Sequence, residues 1–189
     1  MKFFWQLNDE KYEEFVRQAL AGLSDEFSGR LLEIPIGTGA LTMPRYKKLS
    51  GASIVCADYS EEMLTSARSN ANGLSNVEFV RCDVGQLPFD NESFDLVLSI
   101  NGVHVFPNKE AAYSEMRRVL KSGGIFSGCM YVKGINGRTD FFVENFCERQ
   151  RLFTPPYETL TTLSERLKEM YSSVEITHVE AFAGFVCRK

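Results

Sequence analysis

The sequence predicts an α/β fold: a doubly wound, mostly parallel seven-stranded sheet with its last strand antiparallel and a partial helical cap. Three observations predict it. First, short apolar runs alternate with stretches of helical spacing from about residue 30 to residue 132. That alternation builds a parallel sheet through right-handed crossovers. Second, Leu31–Thr42, reading LLEIPIGTGALT, is an apolar run that ends in an acid, breaks at a proline and closes on Gly37-Thr38-Gly39. This pattern reads as a buried strand turning into a helix through a glycine loop. Third, SVEITHVE and AFAGFVCRK close the chain as two tightly joined strands. They must be antiparallel, because a parallel pair needs a crossover of about a dozen residues.

The elements follow in order. Tyr12, Phe15, Val16, Ala19, Leu20 and Leu23 have helical spacing within 8–23. Gly29 punctuates, strand one runs 30–35, and a helix fits 40–49. Strand two is ASIVCAD (52–58), and Ser60 caps a helix with Glu61 and Glu62 in its first turn. Strand three is NVEFVRCD (76–83), and strand four is SFDLVLSI (93–100), apolar through its second half as a sheet buried on both faces would be. A helix over 108–120 carries Arg117, Arg118 and Lys121 at its end and is terminated by Gly123-Gly124. Strand five is IFSGCMYV (125–132). A glycine- and aromatic-rich stretch then leads to a helix over 159–171 and the terminal hairpin. The expected organisation is one domain over 1–189, with a lid helix in 1–24 and a cap insertion in 134–172.

Composition narrows the partners. The 189 residues are 44% hydrophobic and 24% charged, an ordinary globular balance, with a net charge of −4. Such a chain has no general attraction for nucleic acid or anionic membrane, which leaves a small molecule or another protein as the expected partner. No apolar stretch approaches the roughly 20 residues of a membrane helix. The N-terminal MKFFWQLNDEKYEEF turns acidic too soon for a secretory signal. Five dispersed cysteines without a CxxC pair read as reduced thiols of a cytoplasmic protein. Two distant histidines, His104 and His178, supply no metal cluster.

In open α/β sheets ligands sit at the carboxyl ends of the strands. Here those ends carry Glu33, Asp58 and Asp83, then Ser99 and Asn101. A dinucleotide reading finds Asp58 19 residues after Gly39, near the spacing of a ribose-binding acid. It lacks a third glycine, because Thr42 stands there. A pyrophosphate wants positive potential at a helix N-terminus, and Glu33 opposes it. The same carboxylate favours a cationic ligand, and S-adenosylmethionine carries an ammonium and a sulfonium.

These residues resemble the class I S-adenosylmethionine-dependent methyltransferases of the small-molecule type. The glycine motif appears as Glu33-x-Pro35-x-Gly37-x-Gly39, the acid of strand two as Asp58 in ADYSEEML, and the acid after strand three as Asp83 in RCDVGQLPF. SFDLVLSINGVHVF and RVLKSGGIF resemble the segments around strands four and five, so the match runs from about residue 30 to 131. The resemblance implies a Rossmann-like fold and S-adenosylmethionine as cofactor. It implies that Gly37, Thr38 and Gly39 approach the methionine part while Glu33 holds its amino group. Asp58 would accept from both ribose hydroxyls, with Tyr59 and Met63 flanking the adenine. Cys82, Asp83 and Val84 would meet the adenine edge, and Ile100, Asn101 and Gly102 would wall the transferred methyl. Pro35 departs from the family's first glycine, fixing φ near −65° and offering no N–H.

Each residue also has a plainer role. Glu33 could cap a helix, Asp58 could cap the helix after Ser60, and Asp83 could stabilise a turn. His104 is the one ionisable base close behind strand four, a general base or a packing residue. His178 lies between apolar strand positions and reads as structural. Phe3, Phe4, Trp5, Phe141, Phe142, Phe146, Phe153 and Tyr157 either roof the site or pack a cap, and Arg149 and Arg151 either meet an acidic substrate or face solvent. Beside methyl transfer to a small-molecule acceptor stand two alternatives: a nicotinamide-dependent oxidoreductase, and a non-catalytic adenosyl-ligand-binding module.

Overall fold

The computed structural model describes residues 8–189. Phe3, Phe4 and Trp5, suggested above as part of a roof, lie outside the described residues. The elements are α1 (Asp9–Ala19), β1 (Arg30–Glu33), α2 (Met43–Tyr46), β2 (Ser53–Asp58), α3 (Glu61–Ala71), β3 (Val77–Arg81), β4 (Phe94–Ile100), α4 (Lys109–Val119), β5 (Leu120–Tyr131), α5 (Gly137–Phe142), α6 (Leu160–Met170), β6 (Ser173–Val179) and β7 (Phe182–Arg188). A 3-10 turn at Val103–Val105 and a π-helical turn at Val143–Cys147 complete them.

All seven strands form one sheet in the order β3-β2-β1-β4-β5-β7-β6. β1 to β5 pair parallel, while β7 runs antiparallel to both β5 and β6. The last strand is therefore the one reversed, as the tight connection between β6 and β7 requires. The order places β1 beside β4 at the centre, and the chain leaves these two strands in opposite directions across the sheet. Such a switch point opens a crevice at the strands' carboxyl ends.

Side chains alternate across a strand with period two, and this divides the core. Leu32, Val55 and Val97 face Met116 of α4 and Leu163 and Leu167 of α6. Leu31, Ile54 and Leu98 face the opposite layer, with Met43 and Tyr46 of α2 and Leu64 and Ala67 of α3. Glu33, two residues beyond Leu31, points to this second layer and meets α2. A third cluster joins Phe15 and Ala19 of α1 to Cys129 and Tyr131 of β5, Phe182 of β7, and Val143 and Cys147 of the π-helical turn. α6 thus covers a sheet face, and the segment 134–158 stands at the strand ends.

Helix starts follow their caps. Asn8, Ser60, Asn108, Asn136 and Thr159 each accept a backbone N–H of the first turn. Several boundaries differ from the sequence reading, two of them for an evident physical reason. The helix expected over 40–49 contracts to Met43–Tyr46, because Pro44 enters its first turn and the chain before it is held in the glycine loop. Gly123-Gly124 do not end α4. The helix stops at Val119 because Leu120 is already extended and paired with Phe94. The glycines instead lie in an irregularity of β5, where Leu120 and Ile125 face Phe94 and Leu96, and Gly123 takes φ +75°.

Candidate active site

β1 ends at Glu33, and the chain then rises through Pro35 into the loop Ile36–Thr42. The Ile34–Pro35 peptide is cis. Gly37 and Gly39 adopt φ of +55° and +67°, which glycine enters without steric cost. The Gly37 N–H donates to Asp58 Oδ2 at 2.9 Å, tying the loop to the end of β2. On the loop's outer side Asn70 Nδ2 donates to the Thr38 carbonyl at 2.9 Å. A Cβ added at Gly37 would meet nothing within 4 Å, so open space faces the loop there.

Two cavities flank Pro35, which lines both. The first, about 210 Å³, is walled by Glu33, Thr38, Gly39, Leu41, Thr42, Ile100 and Asn101 among others. The second, about 430 Å³, is walled by Ile34, Asp58, Tyr59, Cys82, Asp83, Val84, Val105, Phe106 and Pro107. The carboxyl ends of β1 and β4 thus serve the first cavity, and those of β2 and β3 serve the second.

Glu33 is 2% exposed, and the Tyr46 hydroxyl donates to its Oε2 at 2.5 Å. Burial pushes the carboxyl up to about 8; the hydrogen bond from Tyr46 pulls the other way, and Asp58 adds a small upward push. The Thr42 hydroxyl is buried and closes no hydrogen bond of acceptable geometry. Asp58 is nearly buried and accepts from backbone through both oxygens, Oδ2 from Gly37 and Oδ1 from Ser60 at 2.9 Å. Each carboxylate oxygen keeps a second lone pair for another donor. It therefore binds the loop, leads into the Ser60-capped helix and faces the cavity at once.

Asp83 is exposed; its Oδ1 accepts from the Gly85 N–H at 2.8 Å, an Asx turn at the second cavity's rim. Burial pushes the neighbouring Cys82 thiol up to about 11, so it stays protonated. Tyr59 projects outward, with its carbonyl accepting from Arg81 and the Arg81 guanidinium 5.9 Å from its ring. Asn101 takes φ +53°, tolerable for asparagine, and its N–H donates to the Cys129 carbonyl at 2.8 Å.

Three residues expected at the site stand elsewhere. Met63 occupies the first turn of α3, where its N–H donates to Ser60 Oγ, and does not line the second cavity. Gly102 lies under the site: a Cβ there would overlap Pro35 Cδ and Ser99 Oγ. It is the floor that lets Pro35 sit where it does. His104 lines neither cavity. It is 2% exposed, its Nδ1 accepts from the Tyr131 N–H at 3.1 Å, and its ring centroid lies 4.1 Å from that of Phe153. Burial, with Lys109 nearby, pushes it down to about 3. The imidazole is therefore neutral, and its Nδ1 is committed to β5. Sequence reasoning missed Tyr46, Thr42 and the 105–107 wall. Tyr46 looks like any core aromatic in the sequence, and only the strand-to-helix packing brings its hydroxyl to Glu33.

Residues 31–124 match a family model described as a methyltransferase domain. The chain is 36% identical over 124 residues to a demethylmenaquinone methyltransferase of Clavibacter sepedonicus, covering 66% of this chain and 49% of that protein. It is 37% identical over 117 residues to a phosphatidylethanolamine N-methyltransferase of Cereibacter sphaeroides, covering 60% and 56%. The chain thus spans about half the length of the curated relatives it matches. Among solved structures, an S-adenosylmethionine-dependent methyltransferase of Thermotoga maritima superposes with a TM-score of 0.74 at 19% identity, covering 95% of this chain and 90% of that one. At that identity the likeness shows the fold, and the motif-bearing segment 31–124 carries the family. With the glycine loop, the strand-end acids and the single reversed strand in place, this chain carries a methyltransferase domain over residues 31–124 on a Rossmann-like sheet.

Proposed function

We propose that this chain transfers the methyl group of S-adenosylmethionine to a small-molecule acceptor. The observation that carries the reading is the paired cavity across Pro35, with a buried carboxyl and an unpartnered hydroxyl on one side and Asp58 and Asp83 on the other. The fit is chemical. Glu33 and Thr42 suit the cationic amino-acid end, and Asp58 keeps lone pairs for two ribose hydroxyls. Val84 and Phe106 offer apolar surface to the adenine, with Asp83 at its edge. The open volume at Gly37 allows close backbone approach. When bound, the cofactor supplies a methyl already activated on sulfur.

The protein's part is then positioning. Leu41, Ile100 and Asn101 would wall the reacting methyl, and the apolar cluster behind them would exclude water. His104, held in its structural bond to β5, would not serve as the base. The relatives are named for a quinone and for a phospholipid amine, and the acceptor class proposed here is a small molecule without further restriction. Nucleic acid and membrane surfaces are not proposed as partners, given the net charge of −4. Five cysteines, none in a disulfide and four of them buried, support a reducing, cytoplasmic setting. Among the described residues no helix is long and apolar enough to cross a membrane.

Calorimetry with S-adenosylmethionine and S-adenosylhomocysteine tests the reading, and no binding of either at millimolar concentration would sink it. Binding without methyl transfer to any acceptor pool would leave a non-catalytic adenosyl-binding module. Binding of NAD in their place would restore the oxidoreductase.

A further inference from the structure

Glu33 ends β1 with neighbours that are unusual for a carboxyl. Its register partners on the adjacent strands are Cys56 and Leu98. From α2 it faces Tyr46 and Thr42, both 1% exposed. The charged group that acts on it is Asp58, an anion at the end of β2. No ion pair to Glu33 occurs among the described residues. A carboxylate buried without a cation is costly, and such a group holds its proton instead. A hydroxyl that donates at 2.5 Å and a second that stands unpartnered favour the ionised form once a cation arrives.

We propose that Tyr46 and Thr42 make Glu33 a proton-exchanging receptor for the ligand's ammonium group, Tyr46 being the positioning residue that holds the carboxyl toward the first cavity. The inference rests on the functional reading above. In the empty site Glu33 carries a proton. On binding, the O–H bond of Glu33 breaks, the carboxylate pairs with the ammonium, and the proton passes to solvent. Charge balances: a neutral acid and a cation give an ion pair and one released proton. The site thereby discriminates for a primary ammonium. A neutral amino-acid mimic would leave the protonated acid with nothing to exchange.

The test is calorimetric titration of the intact chain with S-adenosylhomocysteine at pH 7, in buffers of differing ionisation enthalpy. The expected result is release of close to one proton per ligand, with affinity falling about tenfold per pH unit below pH 7 as the ionised fraction falls. 5′-Methylthioadenosine, which lacks the amino-acid end, should bind with no proton release and a flat pH profile. Tyr46→Phe should weaken S-adenosylhomocysteine about tenfold at pH 7 and move the bend of the profile to higher pH. A role in packing alone would weaken binding equally at every pH. Binding without proton release on the unaltered chain overturns this inference alone, whether or not the variant folds. No binding at all overturns it together with the proposed function.

Discussion

At the scale of single residues, two features set the site: a buried acid and a missing side chain. Glu33 has its proton affinity raised to about 8 from an ordinary 4.5, chiefly by burial. The folded state therefore binds this proton more tightly than the unfolded one. Its contribution to stability is whole below about pH 4.5 and is lost as pH rises through 8, at roughly 1.4 kcal/mol per pH unit between. Denaturant titrations at pH 5 and pH 8.5 should show Glu33→Gln gaining several kcal/mol on the unaltered protein between the two. An identical pH trend in both would show that the acid is not buried uncharged. Gly102 has the opposite importance, being needed for what it lacks. Pro35 Cδ and Ser99 Oγ fill the place of a Cβ, so Gly102→Ala must push the proline or the strand end away. The expected cost is about 1–3 kcal/mol, as for overpacking elsewhere. Because Pro35 lines both cavities, the same variant should weaken S-adenosylhomocysteine in a titration. Full affinity with lowered stability would show that the seating of Pro35 on Gly102 does not shape the site.

Among the elements, the informative one is the 3-10 turn after β4. Its His104 accepts from the Tyr131 N–H of β5, and its carbonyl accepts from the Thr154 N–H. Lys109, just beyond, donates to the carbonyls of Phe106 and Thr154. The turn thus clamps the 150s segment to the sheet. With the imidazole pushed down to about 3 from 6.5, its share of stability is whole above pH 6.5 and is lost as pH falls through 3. At saturating cofactor, kcat should show no inflection between pH 6 and 7. His104→Ala should cost about 2–4 kcal/mol by leaving a cavity and an orphaned N–H. A histidine inflection in kcat, absent from the variant, would return His104 to the role of base. The elements also show where sequence signals mislead. Gly123-Gly124 satisfy the local pattern of a helix stop, yet pairing of Leu120 with Phe94 draws the chain into β5 first. Ser60 is legible as a cap because a cap is a bond between near neighbours in sequence.

For the whole molecule, the central switch between β1 and β4 concentrates the walls of the two candidate cavities on four strand ends. A ligand there should stabilise the sheet as a unit. S-adenosylhomocysteine at about a hundred times its Kd should add about 2.7 kcal/mol. For a domain of this size, that raises Tm by roughly 5–10 °C in a melting experiment. NAD at equal concentration should leave Tm unchanged, and the reverse pattern would refute the proposed ligand. The sequence by itself determined the strands, the Ser60 helix cap, the reversed hairpin and the acids at strand ends, since alternation, capping and tight turns are local properties of the chain. It did not determine the strand order, the placement of Gly102 beneath Pro35, the withdrawal of His104 to β5, or the meeting of Tyr46 with Glu33. Those depend on which surfaces the layers bring together, and burial and bonding across layers join residues far apart in the chain.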